Sequence, residues 1–308
     1  MFKFILMASS FVALGNLMFR KSIDHKGSAH PYLLVQSLIT FLASIFLGPV
    51  YHHDYTFNST VALYSSICGL VLWLLMFTTG KALSQGPATL TIALLNASTV
   101  VPAVAMFFLF GPFFGYNYNI SLAIGSCLVV IGLLRAGWSH VKSHKQINWF
   151  VSIALAFSLH VLFLVLLQVR TLCINFPNHH ILFNFNGRLN INGQDLASEW
   201  FMPFIFLTAG LCQMIWCLLF YKPAITKHEY IYGTLGGIAQ GLGSYFLIKA
   251  TEVAQGLEQN IIFPLYSVVI IFICNIWGSL LYKEKINWMA NGCCLLGIVV
   301  SQFGYFFK

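Results

Sequence analysis

The stretch Gly80-Lys-Ala-Leu-Ser-Gln-Gly-Pro87 places a lone lysine at the close of a long apolar run. At an offset of 168, Ile248-Lys-Ala-Thr-Glu-Val-Ala-Gln-Gly256 writes the same Lys-Ala and then Gln-Gly again. Charge is scarce in this chain: Asp, Glu, Lys and Arg make up 8% of the 308 residues, against roughly 25% in a soluble globular protein. Hydrophobic residues account for 58%, and mean hydropathy is +0.80. No water-facing surface can be tiled from such a composition, so the chain belongs in a bilayer. A lysine recurring in the same local setting of so apolar a chain points to one membrane unit written twice.

Crossing about 30 Å of hydrocarbon takes roughly 20 helical residues. Apolar runs of about that length are Phe4–Phe19, Tyr32–Val50, Val61–Thr79, Ala88–Phe110 and Tyr118–Leu134. A polar, basic break follows, Arg135 to Gln146, and then Trp149–Val169, Phe201–Tyr221, Tyr230–Ile248, Asn260–Tyr282 and Asn287–Phe307. Ten spans in two sets of five are expected, all helical, because the alternation of barrel strands is missing and lipid offers backbone groups no partners. Trp138, Trp149, Trp200 and Trp288 fall at span ends, where interfacial indoles are expected. The first run has only Lys3 before it, with Arg20, Lys21 and Lys26 after it; a cleaved signal has its positive charge first, so this reads as a retained span.

The halves match in detail. Gly125-Ser-Cys-Leu128 in span 5 has its like in Gly292-Cys-Cys-Leu295 of span 10, and Pro102 and Pro264 lie in spans 4 and 9 out of register. An odd number of spans per copy inserts the second copy upside down, so the expected fold is all-α integral membrane, ten transmembrane helices as two inverted five-helix repeats. The division is 1–138 for the first repeat, 139–148 for a basic linker and 149–308 for the second. Eleven Lys/Arg follow spans 1, 3, 5, 7 and 9 and five lie on the other side, which by the positive-inside rule places both termini outside the cytoplasm.

The net charge of +8 comes from basic residues scattered between apolar runs, as flanks of spans rather than a nucleic-acid surface. The eight cysteines form no Cys-x-x-Cys pair, and most sit inside apolar runs as small side chains. His52-His53, His179-His180 and the His140/His144 spacing lack the surrounding ligands of a metal site, so neither a metal nor a cofactor is expected. Asn58-Ser-Thr is a formal glycosylation sequon.

In "GKALSQGPATLTIALLNASTVVP" and "YKEKINWMANGCCLLGIVV" the chain resembles the drug/metabolite transporter superfamily in its ten-helix EamA-like form. The resemblance covers nearly the whole chain. Where the family repeats its acidic residue, this chain has Glu284 but Asn117 as the mate, and the loop from Arg170 to Trp200 is unusually long. The resemblance implies alternating access, with spans 1–4 and 6–9 around a central cavity and spans 5 and 10 at the periphery. It also implies substrates ranging over amino acids, nucleotide sugars, phosphorylated sugars, S-adenosylmethionine-like nucleosides and cationic drugs.

Several side chains could carry the chemistry. Lys81 and Lys249 either snorkel to headgroups or attract an anionic group on the solute; Glu252 can neutralise Lys249 from three residues away, which leaves Lys81 the better candidate for an unpaired cation. Gly233, Gly237 and Gly241 form a stripe for close helix approach or cavity lining, with Gln240, Ser244 and Tyr245 on the same helix. His160, inside a span, either bonds a neighbouring helix or couples protons. Asn16, Gln36, Asn96, Gln213, Asn260 and Asn275 either bind solute or bridge helices, and Trp73 and Tyr266 either stack on a planar ring or pack. No G-x-x-x-x-G-K-[ST] motif is present. The leading expectation is a secondary transporter of a small polar metabolite in a plasma or bacterial inner membrane, with a homodimer left open. The alternatives are a membrane-embedded enzyme using its histidines and a non-transporting scaffold.

Overall fold

The computed structural model describes residues 1–25, 27–86, 88–111, 120–138, 144–175, 193–221, 225–254, 258–283 and 288–306. Among them the chain is helical throughout, with no strand: α1 (Phe2–Asp24), α2 (Ala29–Ile45), α3 (Ser59–Gln85), α4 (Ala88–Ala97), α5 (Val101–Phe110), α6 (Ile120–Trp138), α7 (His144–Asn175), α8 (Phe201–Trp216), α9 (Lys227–Val253), α10 (Glu258–Tyr282) and α11 (Trp288–Phe306). Seven helical stretches among the described residues are long and apolar enough to cross a membrane: α1, α2 with its extension, α3, α4 with α5, α7, α8 with its extension, and α10. The protein is therefore a multi-pass membrane protein. The apolar cores of α6 and α11 are shorter, and α9 is diluted by glycines, tyrosines and Gln240.

Local sequence explains the breaks. Proline is tolerated in a first turn, where its missing N–H has no partner to lose, and Pro31 and Pro203 sit in the first turns of α2 and α8. Both helices end in a π-helical segment, Phe46–Val50 and Cys217–Tyr221; in the first, Pro49 removes a backbone donor. A 3-10 turn at Ser98–Val100 separates α4 from α5 just before Pro102, whereas Pro264 lies inside an unbroken α10. Helices α3 and α9 are each 27 residues long and carry Lys81 and Lys249 at the same place before their ends.

Helix α9 is wedged against both α1 and α2, and α3 against both α7 and α8. α2 also packs on α8, α4 on α10 and α6 on α11. α1 and α9 run antiparallel: Phe4 stacks on Phe246 at 6.2 Å and His25 on His228 at 4.9 Å. The glycine stripe of α9 is a packing surface. A Cβ on Gly237 would lie 2.7 Å from Ile39 Cβ and 2.8 Å from the Gln36 carbonyl oxygen, and one on Gly233 would meet Val35 at 2.8 Å. The Thr40 hydroxyl donates to the Gly237 carbonyl at 2.9 Å across this contact. Glu229, buried at the start of α9, binds the backbone N–H of Thr226 at 2.7 Å and that of Ser28 at 2.5 Å. One carboxylate thus caps the N-termini of α9 and α2, where unpaired N–H groups and the helix dipoles favour negative charge.

One sequence expectation is corrected. Trp149 is no interfacial indole: it is buried, its ring lies against Gly86, and its N–H donates to Thr91 Oγ1 at 3.0 Å. On α11 the glycine that packs on Gly125 is Gly297, a Cβ there lying 2.7 Å from the Gly125 carbonyl oxygen; among the described residues Gly292 has nothing within 4 Å of such a Cβ. All eight cysteines are free thiols.

Candidate functional site

Among the described residues, three hollows follow one another along the bundle. The central one, about 150 Å³, is lined from α1, α2, α3, α4, α7, α9 and α10. Its polar lining is Asn16, Gln36, Thr79, Asn96, His160, Gln240, Ser244 and Tyr266, set among Phe19, Phe163 and aliphatic side chains. No Asp, Glu, Lys or Arg lines it among the described residues. Asn96 donates to the Ile92 carbonyl at 2.8 Å, and Gln240 donates to Ser244 Oγ at 3.3 Å. Gln36 Oε1 and Thr79 Oγ1 are buried without a hydrogen-bond partner among the described residues. His160 Nδ1 lies 2.9 Å from the Leu95 carbonyl oxygen and 2.7 Å from Ser98 Oγ. A carbonyl only accepts, so the neutral ring carries its proton on Nδ1 and its Nε2 is left as an acceptor.

Farther along α7 and α9 lies a cluster of charge. A hollow of only about 20 Å³ lies among Arg170, Glu199, Tyr245, Lys249 and Glu252. Lys249 Nζ bonds Glu199 at 3.1 Å and Glu252 at 3.0 Å, and Arg170 Nη2 stands 3.6 Å from Glu252. Arg170 is 3% exposed, donates from Nε to the Leu196 carbonyl at 2.9 Å, and lies over the Phe201 ring at 4.2 Å. His52 Nε2 reaches Glu199 at 3.7 Å. These groups tie the end of α2, the end of α7, the start of α8 and the end of α9 together. Beside them, the Asp54 carboxylate accepts from the Thr56 hydroxyl at 2.5 Å and from its N–H at 3.1 Å. Those bonds, the hydroxyl's foremost, with help from Ser198 and the Glu199 backbone, hold Asp54 below the usual carboxylate range against a small effect of burial.

Among the described residues the opposite end is open. One turn beyond the central lining on α1, α2 and α3, a hollow of about 420 Å³ is bordered by Ile23, His30, Phe77, Gly80, Lys81 and Ser84. Lys81 is exposed there, with no ionic partner among the described residues.

The structure sorts the residues expected from sequence. Asn96, Gln240, Tyr266 and His160 converge on the central hollow, joined by Asn16 and Gln36. Lys249 and Tyr245 belong to the charged end, and Lys81 to the open end. Trp73 is not in the central lining: its N–H donates to Gln213 Oε1 at 2.9 Å, and Gln213 in turn donates to the His30 carbonyl at 3.0 Å, so both are bridges between α3, α8 and α2. Asn275 accepts from Asn291 at 3.1 Å and bridges α10 to α11. Asn58 caps α3 by accepting from the Thr60 N–H at 2.8 Å. The Asn260 side chain lies outside the described residues, as do Glu284, Asn117, His140, His179 and His180. Sequence reasoning missed Arg170 and Glu199; the signal was there, a charged residue at each end of a long inter-span segment, but nothing in the sequence joins them to Lys249.

No known family's sequence profile matches the chain, and no curated protein matches it. A solved structure described as "Crystal structure of protein" has the same fold, with a TM-score of 0.57 and 14% identity over 96% of this chain and 98% of its own. At that identity the likeness carries the fold alone.

Proposed function

We propose that the protein is a secondary transporter that moves a small polar metabolite across a membrane by alternating access. The observation that carries this reading is a hollow with eight polar side chains in its wall inside an apolar bundle, with an ion-paired cluster at one end and a wider, open hollow at the other. A polar cavity in lipid is costly to maintain and marks a pathway. The packing supports an inverted repeat of ten spans. Exchanging the two sets of five helices turns the α1–α9 and α2–α9 contacts into α7–α3 and α8–α3, and returns α2–α8, α4–α10 and α6–α11 to themselves. The π-helical ends and first-turn prolines of α2 and α8, and the equal lengths of α3 and α9, follow the same exchange. The resemblance to EamA-like drug/metabolite transporters points the same way.

In this reading Lys249, Glu252, Arg170 and Glu199 form a gate that must part for the hollow to open at that end, while Lys81 stands in the other mouth. His160 lines the hollow, and its Nε2 is the group that would take up a coupled proton. The membrane is the plasma or bacterial inner membrane, with both termini outside the cytoplasm as the basic loops indicate. Purified protein in proteoliposomes is expected to show saturable counterflow of an unmodified labelled metabolite. Recovery of a chemically altered solute would indicate an enzyme, and no flux from a broad panel would overturn the proposal.

A further inference from the structure

Resting on the transport reading, we infer that the solute is an uncharged, single-ring compound with an amide-like edge, such as a pyrimidine base or a ring carboxamide. Three features of the central hollow lead there. The first is charge. A buried carboxylate, phosphate or ammonium needs an opposite charge or a dense shell of hydrogen bonds. Among the described residues the lining holds no charged side chain, and the cations Lys81, Lys249 and Arg170 border the hollows at the ends. With His160 neutral, an anion or a zwitterion would therefore arrive unpaired.

The second is the kind of polar group. Four carboxamides, Asn16, Gln36, Asn96 and Gln240, come from four helices, α1, α2, α4 and α9. A carboxamide presents a donor and an acceptor side by side and so matches a planar amide or lactam edge. Gln36 is 5% exposed, and its Oε1 is buried with no partner among the described residues. A buried acceptor left unmet is costly, and a ligand N–H would satisfy it. The third is size and shape. A cavity of about 150 Å³ holds about one benzene-sized ring, and Phe19, Phe163 and Tyr266 supply aromatic surface in its wall.

The test uses the full-length protein in nanodiscs, with matched probes that differ in charge: uracil against orotate, and nicotinamide against nicotinate. The neutral member of each pair is expected to bind at least about tenfold more tightly, the scale of one hydrogen bond and an unpaired charge. Gln36→Leu should weaken the neutral probes by about three- to tenfold without lowering the melting temperature of the ligand-free protein, since the lost oxygen has no partner among the described residues. A merely structural glutamine would instead lower that melting temperature. Equal or tighter binding of the charged members, or no binding of either neutral probe, overturns the inference. The same protein is assayed in vesicles to separate the two claims: flux of a charged solute leaves the transport reading standing while this one falls, and no flux of any solute brings down both.

Discussion

Arg170 loses three things at once if its guanidinium is removed: the ion pair with Glu252, the donor to the Leu196 carbonyl, and the stack on Phe201. Breaking a buried pair by deleting one partner costs about 3–5 kcal/mol. Glu252 here keeps Lys249 and is partly exposed, so Arg170→Leu is expected to cost about 2–3 kcal/mol, read from unfolding in detergent. Lys81→Ala, at an exposed position, should stay within about 0.5 kcal/mol; a comparable loss at both would remove the distinction between closed and open ends. Asp54 gives the pH dependence. Its pKa is depressed in the folded state, so its contribution is present above the unfolded value and fades as pH falls through the folded one. Thr56→Val should raise the Asp54 titration toward the ordinary carboxylate range, followed by the carboxyl-carbon shift; an unmoved titration would mean the hydroxyl is not its cause. The Lys249–Glu252 pair was legible in the sequence because three residues on a helix share a face. Glu199, fifty residues away, was not.

At the scale of elements, the periodic glycines of α9 could be read from sequence, but the surface they serve could not, because helical spacing fixes a face and not its neighbour. The structure gives α2 as that neighbour. Gly237→Ala would push a methyl into Ile39 and the Gln36 carbonyl, an overpacking that costs about 1–3 kcal/mol. Gly292→Ala meets nothing and should be neutral or stabilising by up to about 1 kcal/mol, since alanine favours helix over glycine. Thermal melts of the two variants compare them directly, and equal losses would mean that α9 does not approach α2 this closely. The polar residues within spans show the same boundary of legibility. Asn16, Gln36, Asn96, Gln213 and Asn275 looked alike in sequence, and only the facing helices separated cavity lining from bridges.

At the scale of the whole molecule, the helical membrane architecture was legible because apolar length is nearly a sufficient signal in lipid. Location of the cavity was not, since it depends on which helices meet: α1, α3, α7 and α9 come together around Asn16, Thr79, His160 and Gln240. The central claim is that this hollow opens in turn to either side. The most direct measurement places one cysteine at Ser244, which lines the hollow, in a background stripped of the native thiols. Membrane-impermeant thiol reagents are then applied from each side of sealed, oriented vesicles. Modification from both sides is predicted, faster from the Arg170 side once Arg170→Leu loosens that end. Modification from one side only, with and without Arg170→Leu, or from neither, would contradict it.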